Sequence, residues 1–392
     1  MTNRWIASWT ASPMNVWAPD APLAGIYGQT IREFARVSLG GNRIAVRFTN
    51  EFGDTPLVFD EVEIAIGGIG GKAAASSGRA VTFGGSRVGT VYPGAPLISD
   101  PIELPVAPLS LLAVSYFSSG FMPFHTHHFE AQQTAYVSVP GNFVGSDLMV
   151  TQNITTSHYA LSSILVEVAQ DARAVVCFGD SITDGFGSSI DASARWPDLL
   201  AERLATEPGF ENVAVLNQGI GGNRLLHDRR GAKALARFDR DVLSLAGATH
   251  LILLEGINDI LWPRTVLAGP EEAVSAAQMI LSYQQLMARA RIAGLKVIVG
   301  TLMPFEGTRP DLPHGGYYTA DKEKVRQAVN RWIRTESNAD GLLDFDEVVR
   351  DPARPSRLRS DFDCGDHIHP NDRGYRAMAD AIPISLLHIK SE

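Results

Sequence analysis

Residues 175–189 read VVCFGDSITDGFGSS. Four apolar residues run straight into Gly179-Asp180-Ser181, and a second glycine-rich stretch follows at once. A strand-to-helix turn accounts for this pattern on its own, because Asp and Ser cap helix N-termini and Gly supplies positive φ. The same turn also sets a hydroxyl at the carboxyl end of a strand, where open α/β sheets bind ligands. The two readings part on what the rest of the chain brings to that rim.

Working outward, residues from 170 onward alternate between two periods. The apolar runs AVVCFGD, VAVLNQG, THLILLEG, LKVIVGTL and GLLDF read as buried strands. Between them, WPDLLAERLA (196–205), AAQMILSYQQLMARARIAG (276–294) and DKEKVRQAVNRWIRTE (321–336) read as amphipathic helices. The two longer helices end on basic residues, which suits the negative end of the helix dipole. Strand–helix alternation of this kind predicts a parallel sheet with helices on both faces.

The first half is different. Short alternating runs (43–50, 57–66, 79–83, 109–117, 134–139 and 162–169) are bounded by GG, PG and SSG turn formers. They predict an all-β sandwich of jelly-roll type, a structural or oligomerising module. The linker QDARA (170–174) divides the chain into a β-sandwich domain, 1–169, and an α/β domain, 170–392. A length of 392 residues also favours two cores over one.

The chain carries a net charge of −9 with no basic run, which argues against nucleic acid or an anionic membrane surface as partner. Two cysteines, Cys177 and Cys364, exclude a disulfide framework. The segment MTNRWIASWTASP has no apolar core behind basic residues, and the longest apolar runs fall well short of the ~20 residues that span a bilayer. The expectation is a cytoplasmic protein, or a secreted one if a leader has been removed.

The carboxyl ends of the strands deliver a short list: Gly179-Asp180-Ser181, the turn NQGIGGN with Gly221 and Gly222, and EGINDI with Asn258 and Asp259. Near the end, CGDHIHPNDRGY sets Asp366 and His369 three apart before a last helix. This set fits acyl transfer. An alcohol needs a neighbouring base, and an imidazole oriented by a carboxylate supplies one. His369 can take the proton of Ser181, and Asp366 can fix its tautomer. The amides of Ser181 and Gly222 and the carboxamide of Asn258 are candidate donors to an oxyanion. Gly219 and Gly221 compete with Gly222, which matches best by its spacing from Asn217. A Cβ at Gly222 is expected to crowd the bound carbonyl.

Asp366, His367 and His369, or His125, His127 and His128, are too compact to fill a metal's shell alone. The second cluster reads as a polar edge, with a lining of the cleft from the first domain as the alternative. Asp180 and Asp259 read as strand-end caps. The turn GDSITDGFG could cradle phosphate, but it lacks a P-loop lysine and does not match GxGxxG. The loop PFEGTRPDLPHGGYY (304–318) reads as a substrate wall, with Trp262, Phe305, Tyr317 and Tyr318 as candidate contacts.

GDSITDG, the later GG turn, GIND and DHIHP resemble the successive sequence blocks of the SGNH hydrolases, also called GDSL esterases and lipases. The resemblance covers 175–388. It implies Ser181 as nucleophile, Gly222 and Asn258 as oxyanion donors, and Asp366 and His369 as the remaining triad members. It also implies a flavodoxin-like α/β/α fold, no cofactor, and a small-molecule or saccharide ester as substrate. WIASWTASP, QTIREFARVSLGGNRIAVRFTNEFG and TAYVSVPGN are similar, more loosely, to the β-sandwich module of two-domain bacterial members. The activity so implied is hydrolysis of short-chain acyl esters, O-acetylated carbohydrates among them. A broader carboxylesterase or lysophospholipase-like activity is the alternative.

Overall fold

The computed structural model describes residues 3–17, 23–309 and 316–388. The chain separates into two compact units, 1–174 with 201–216, and 175–200 with 217–392.

The first unit is built on two antiparallel sheets. One orders Asn3–Thr10, Leu161–Ala169, Gly41–Thr49 and Ile102–Val106 as neighbours. The other orders Thr151–Thr155, Ala135–Ser138, Gly25–Arg36, Leu111–Pro123, Glu61–Ile66 and Arg79–Ala80. Phe48 of the first sheet meets Tyr116 of the second at 5.7 Å, and Phe59 lies 4.7 Å and 5.2 Å from the two rings. All three are fully buried, each contributing about 2–3 kcal/mol in transfer terms. These orders establish a β-rich unit of two facing sheets; they do not establish the narrower jelly roll.

Strand Gly25–Arg36 carries two ionisable neighbours, Arg32 and Glu33, both fully buried. Arg32 donates to Ser115 Oγ and to the carbonyls of Gly71, Ser146 and Asp147, so it pins two irregular loops to the sheet. Glu33 accepts the Tyr159 amide at 2.5 Å, and burial pushes its carboxyl up to about 8. The histidines expected at a polar edge are divided. His125 is exposed and pairs with Asp54 at 3.0 Å, whereas His127 and His128 are buried. His128 Nδ1 sits 2.9 Å from Ser12 O, and burial, then His128, push His127 down to about 4. His127 is therefore a neutral core residue.

The second sheet system has five strands, Arg173–Gly179, Val213–Gly219, Ala248–Leu254, Lys296–Gly300 and Gly341–Leu343, in the spatial order 2-1-3-4-5. The ladders between its third, fourth and fifth strands are parallel, with Leu251 opposite Val297 and Ile298 opposite Gly341. This is the doubly wound order of flavodoxin-like sheets. Ser275 and Gln278 close a reciprocal capping box on helix Ala276–Ile292, and Asn371 caps Asp372–Asp380. The helices fall into two groups. Ala276–Ile292 contacts Ala234–Phe238 and Ala320–Thr335, while Phe345–Val349 contacts Asp372–Asp380 and meets Trp196 at 5.8 Å through Phe345. No helix among the described residues is long and apolar enough to cross a membrane.

Candidate active site

The first strand runs through buried Val175, Val176, Cys177 and Phe178 and stops at Gly179. A Cβ on Gly179 would stand 2.1 Å from Leu254 O and 2.3 Å from Thr183 Oγ1, so only glycine lets the third strand and the following helix close on it. Asp180 then caps the short helix Ser181–Asp184, its carboxylate accepting the Ile182 amide at 3.0 Å. The cap leaves Ser181 as the first helical residue, and its amide makes no bond among the described residues.

Ser181 Oγ lies 2.7 Å from His369 Nε2. His369 Nδ1 lies 2.6 Å from Asp366 Oδ2, while Asp366 Oδ1 accepts the amides of Ile368 (3.0 Å) and His369 (2.9 Å). Burial pushes the Asp366 carboxyl up, but the hydrogen bond and charge of His369 and these two amides outweigh it and hold the group well below the usual carboxylate range. It stands as a carboxylate facing Nδ1, so Nδ1 carries the hydrogen and Nε2 is left as an acceptor for the hydroxyl. The ring of Phe186 packs on His369 with centroids 4.6 Å apart, and Tyr375 of the last helix donates to Phe186 O at 2.6 Å. Ser181, read at a strand end, and the Asp366/His369 pair, read before the last helix, thus form one hydrogen-bonded chain.

Of the three glycines of the second turn, Gly219 gives its amide to Asn217 Oδ1 (2.9 Å) and Gly221 to Asp184 Oδ2 (3.1 Å). The Gly222 amide alone makes no bond among the described residues. Its φ of +76° is one that side chains disfavour. A Cβ there would meet Arg230 Cδ at 2.5 Å and the Trp262 ring at 2.8 Å. The need for glycine therefore comes from its backbone and from these two side chains. Asn258 Nδ2 donates to Asn223 O at 3.0 Å, which uses one of its two hydrogens and ties its helix to the glycine turn. Ile220 N in turn donates to Gly179 O at 3.0 Å, so the three segments are bonded to one another.

Asp180 acts as a cap, whereas Asp259 lies within the helix Ile257–Leu261 and its carboxylate accepts the amides of Leu225 and Leu226 across from it. Burial pushes Asp180 up to about 6 and Asp259 up to about 7, the latter against the amides of Leu225 and Leu226. Sequence reading missed Asp184, Asn217 and Phe186. All three stand in stretches already singled out, Asp184 and Phe186 in GDSITDGFG and Asn217 in NQGIGGN, but no role was read for them.

The four proposed substrate contacts do not behave alike. Phe305 has no exposed surface and packs edge-on against Tyr318 at 5.2 Å, so it braces the loop and offers substrate no face. Trp262 is 4% exposed and lies under Arg224 at 4.9 Å, backing Gly222. Tyr317 and Tyr318 are half-buried, and the adjoining positions 310–315 of that loop lie outside the described residues. Asp363, Cys364 and Asp366 approach within 4.8 Å, the one group among the described residues with such spacing. Asp363 is engaged by His367 and the Gly365 amide, and burial, then Asp366, push the Cys364 thiol up to about 12, which makes it a poor ligand at neutral pH.

A doubly wound α/β unit whose first strand leads to a serine bonded to a His–Asp pair defines the class of this protein. The chain belongs to the GDSL-like lipase/acylhydrolase family, whose model matches residues 177–377. Among curated proteins no relative matches. Solved structures similar to part of it include a GDSL-like lipase from Bacteroides thetaiotaomicron (17% identity, 56% of this chain and 92% of that one, TM-score 0.40). A carbohydrate acetylesterase family member from Sinorhizobium meliloti is 18% identical over 53% of this chain and 94% of its own, with TM-score 0.40. The M. smegmatis aryl esterase is 16% identical over 54% and 96%, also with TM-score 0.40.

Proposed function

We propose that the protein is a serine esterase in which Ser181 attacks an ester carbonyl. His369 takes the hydroxyl proton and returns it to the leaving alcohol, and Asp366 holds the imidazole in the required tautomer. The amides of Ser181 and Gly222 and the free N–H of Asn258 receive the oxyanion. Water, activated by the same imidazole, then releases the acid from Ser181. The observation that carries this reading is the 2.7 Å contact from Ser181 Oγ to His369 Nε2, backed by the 2.6 Å contact to Asp366. Residues 170–392 are taken as the catalytic domain and 1–169 as an accessory one.

The substrate proposed is a short-chain acyl ester, with O-acetylated carbohydrate as the first class to try. Support comes from how little of the site is open: Ser181 is 7% exposed, Phe186 covers His369, and Trp262 backs Gly222. One observation favours the broader carboxylesterase or lysophospholipase-like alternative. A cleft of about 840 Å³, lined by Ile260, Val266, Val274 and Val325 among others, borders the short helix that bears Asn258. It has room for a longer chain. Rates on chromogenic esters from acetyl to dodecanoyl, with Ser181→Ala alongside, test both points. An optimum at two to four carbons supports the first substrate class and an optimum at eight or more supports the second. An unchanged rate in Ser181→Ala overturns the serine mechanism.

A further inference from the structure

We infer that Arg237 is a positioning residue for the oxyanion site, acting on turnover through Asn223 and Asn258; this rests on the serine-esterase reading above. Arg237 lies in the helix Ala234–Phe238, far from the sequence blocks that mark the site, and its side chain has no exposed surface. Every face of the guanidinium is engaged. Nη2 donates to Gly179 O (2.8 Å), the carbonyl just before Asp180-Ser181, and lies 3.5 Å from Glu255 Oε2 at the end of the third strand. Nη1 donates to Gln218 O (2.9 Å) on the second strand and to Asp241 Oδ2 (3.0 Å). Nε donates to Asn223 Oδ1 at 2.9 Å, and the plane lies 4.0 Å over the Phe178 ring.

One rigid fork therefore joins the ends of the strands that deliver the nucleophile, the glycine turn and the carboxamide. The connection continues, because the Asn223 carbonyl accepts the Asn258 carboxamide at 3.0 Å. A fully buried guanidinium needs acceptors for all five of its N–H groups, and the identity of those acceptors sets what it ties together. This one spends three of its donors on two strand-end carbonyls and on the residue that orients Asn258. A lysine, with a point charge and no planar fork, cannot hold these directions together.

The test is a double-substitution cycle on a short-chain chromogenic ester. Arg237→Lys is expected to lower kcat about 10- to 100-fold with KM within twofold, part of the loss known for a missing oxyanion donor. In an Asn258→Ala background the same change is expected to cost less than threefold, because the group it positions is gone. If Arg237→Lys does not melt cooperatively, Asn223→Ser takes its place: it removes the Nε acceptor while Arg237 keeps Asp241 and Glu255, and Asn223→Ser in the Asn258→Ala background controls for the bonds to Arg230 O and Ala232 O that are lost with it. Equal losses in both backgrounds would overturn the proposal and leave Arg237 a purely structural residue. Ser181→Ala is measured in parallel. If it stays active the esterase reading itself fails, whereas if it is inactive and the two losses multiply, only the positioning role fails.

Discussion

Replacing Asp366 by Asn preserves the shape of the side chain and removes its charge. Its Oδ1 would still accept the amides of Ile368 and His369 at 3.0 and 2.9 Å, so the turn that carries His369 should persist. Only the 2.6 Å contact to His369 Nδ1 changes character. There the carboxamide presents N–H, which obliges Nδ1 to accept and moves the ring hydrogen to Nε2. That hydrogen then points at Ser181 Oγ, 2.7 Å away, and the imidazole cannot take the hydroxyl proton. A trapped wrong tautomer in such a triad costs about 10⁴ in kcat. At 1.36 kcal/mol per factor of ten this is about 5.5 kcal/mol of transition-state stabilisation. The assay is kcat and KM on a short-chain chromogenic ester, with circular dichroism to confirm the fold. A loss smaller than tenfold in a folded variant would refute the assignment of Asp366. Stability carries a second sign. The folded carboxyl is held below its unfolded value, so it stabilises above the unfolded pKa of roughly 3.9, and that contribution fades as pH falls further. The difference in stability between wild type and Asp366→Asn should therefore shrink on acidification.

Gly222→Ala should cost about 1–3 kcal/mol of stability, since φ is +76° and the new methyl meets Trp262 as well as Arg230; it should also lower kcat by displacing the free amide, and wild-type kcat would contradict the account. Glu33 titrates near 8 in the fold against about 4.5 unfolded, so the folded state holds the extra proton between those values and stability falls as pH rises across that window, by on the order of 5 kcal/mol. Glu33→Gln, which mimics the protonated acid, should flatten this slope in denaturant titrations at pH 5, 7 and 9. Parallel curves for the two proteins would show that burial of Glu33 has no such effect.

The α/β half was legible because its strands are buried on both faces and read as apolar runs, because Ser181, Gly222 and Asn258 sit just past run ends, and because Asp366 and His369 stand three apart before the last helix. Helices 196–205, 276–294 and 321–336 lie within two residues of Trp196–Thr206, Ala276–Ile292 and Ala320–Thr335. The β-rich half was harder. Gly25–Arg36 did not read as a strand because Arg32 and Glu33 break its apolar pattern, and their partners lie as far off as Asp147 and Tyr159. The run 57–66 divides at Asp60 because its two parts pair in different sheets, Leu57–Phe59 with Gly89–Val91 and Glu61–Ile66 with Leu111–Pro123. Aromatic residues in a polar loop read as a wall for substrate, yet Phe305 is turned inward. Arg237 gave no local sign at all, since its meaning lies in three strand ends that only folding brings together.

The most direct test of the site is covalent. A fluorophosphonate probe needs an activated hydroxyl beside a base, with donors for its phosphoryl oxygen. One equivalent should add to the protein, map by peptide mass to Ser181, and react orders of magnitude more slowly with His369→Ala. Labelling at another residue, or labelling of Ser181 at the same rate without His369, would contradict the central claim.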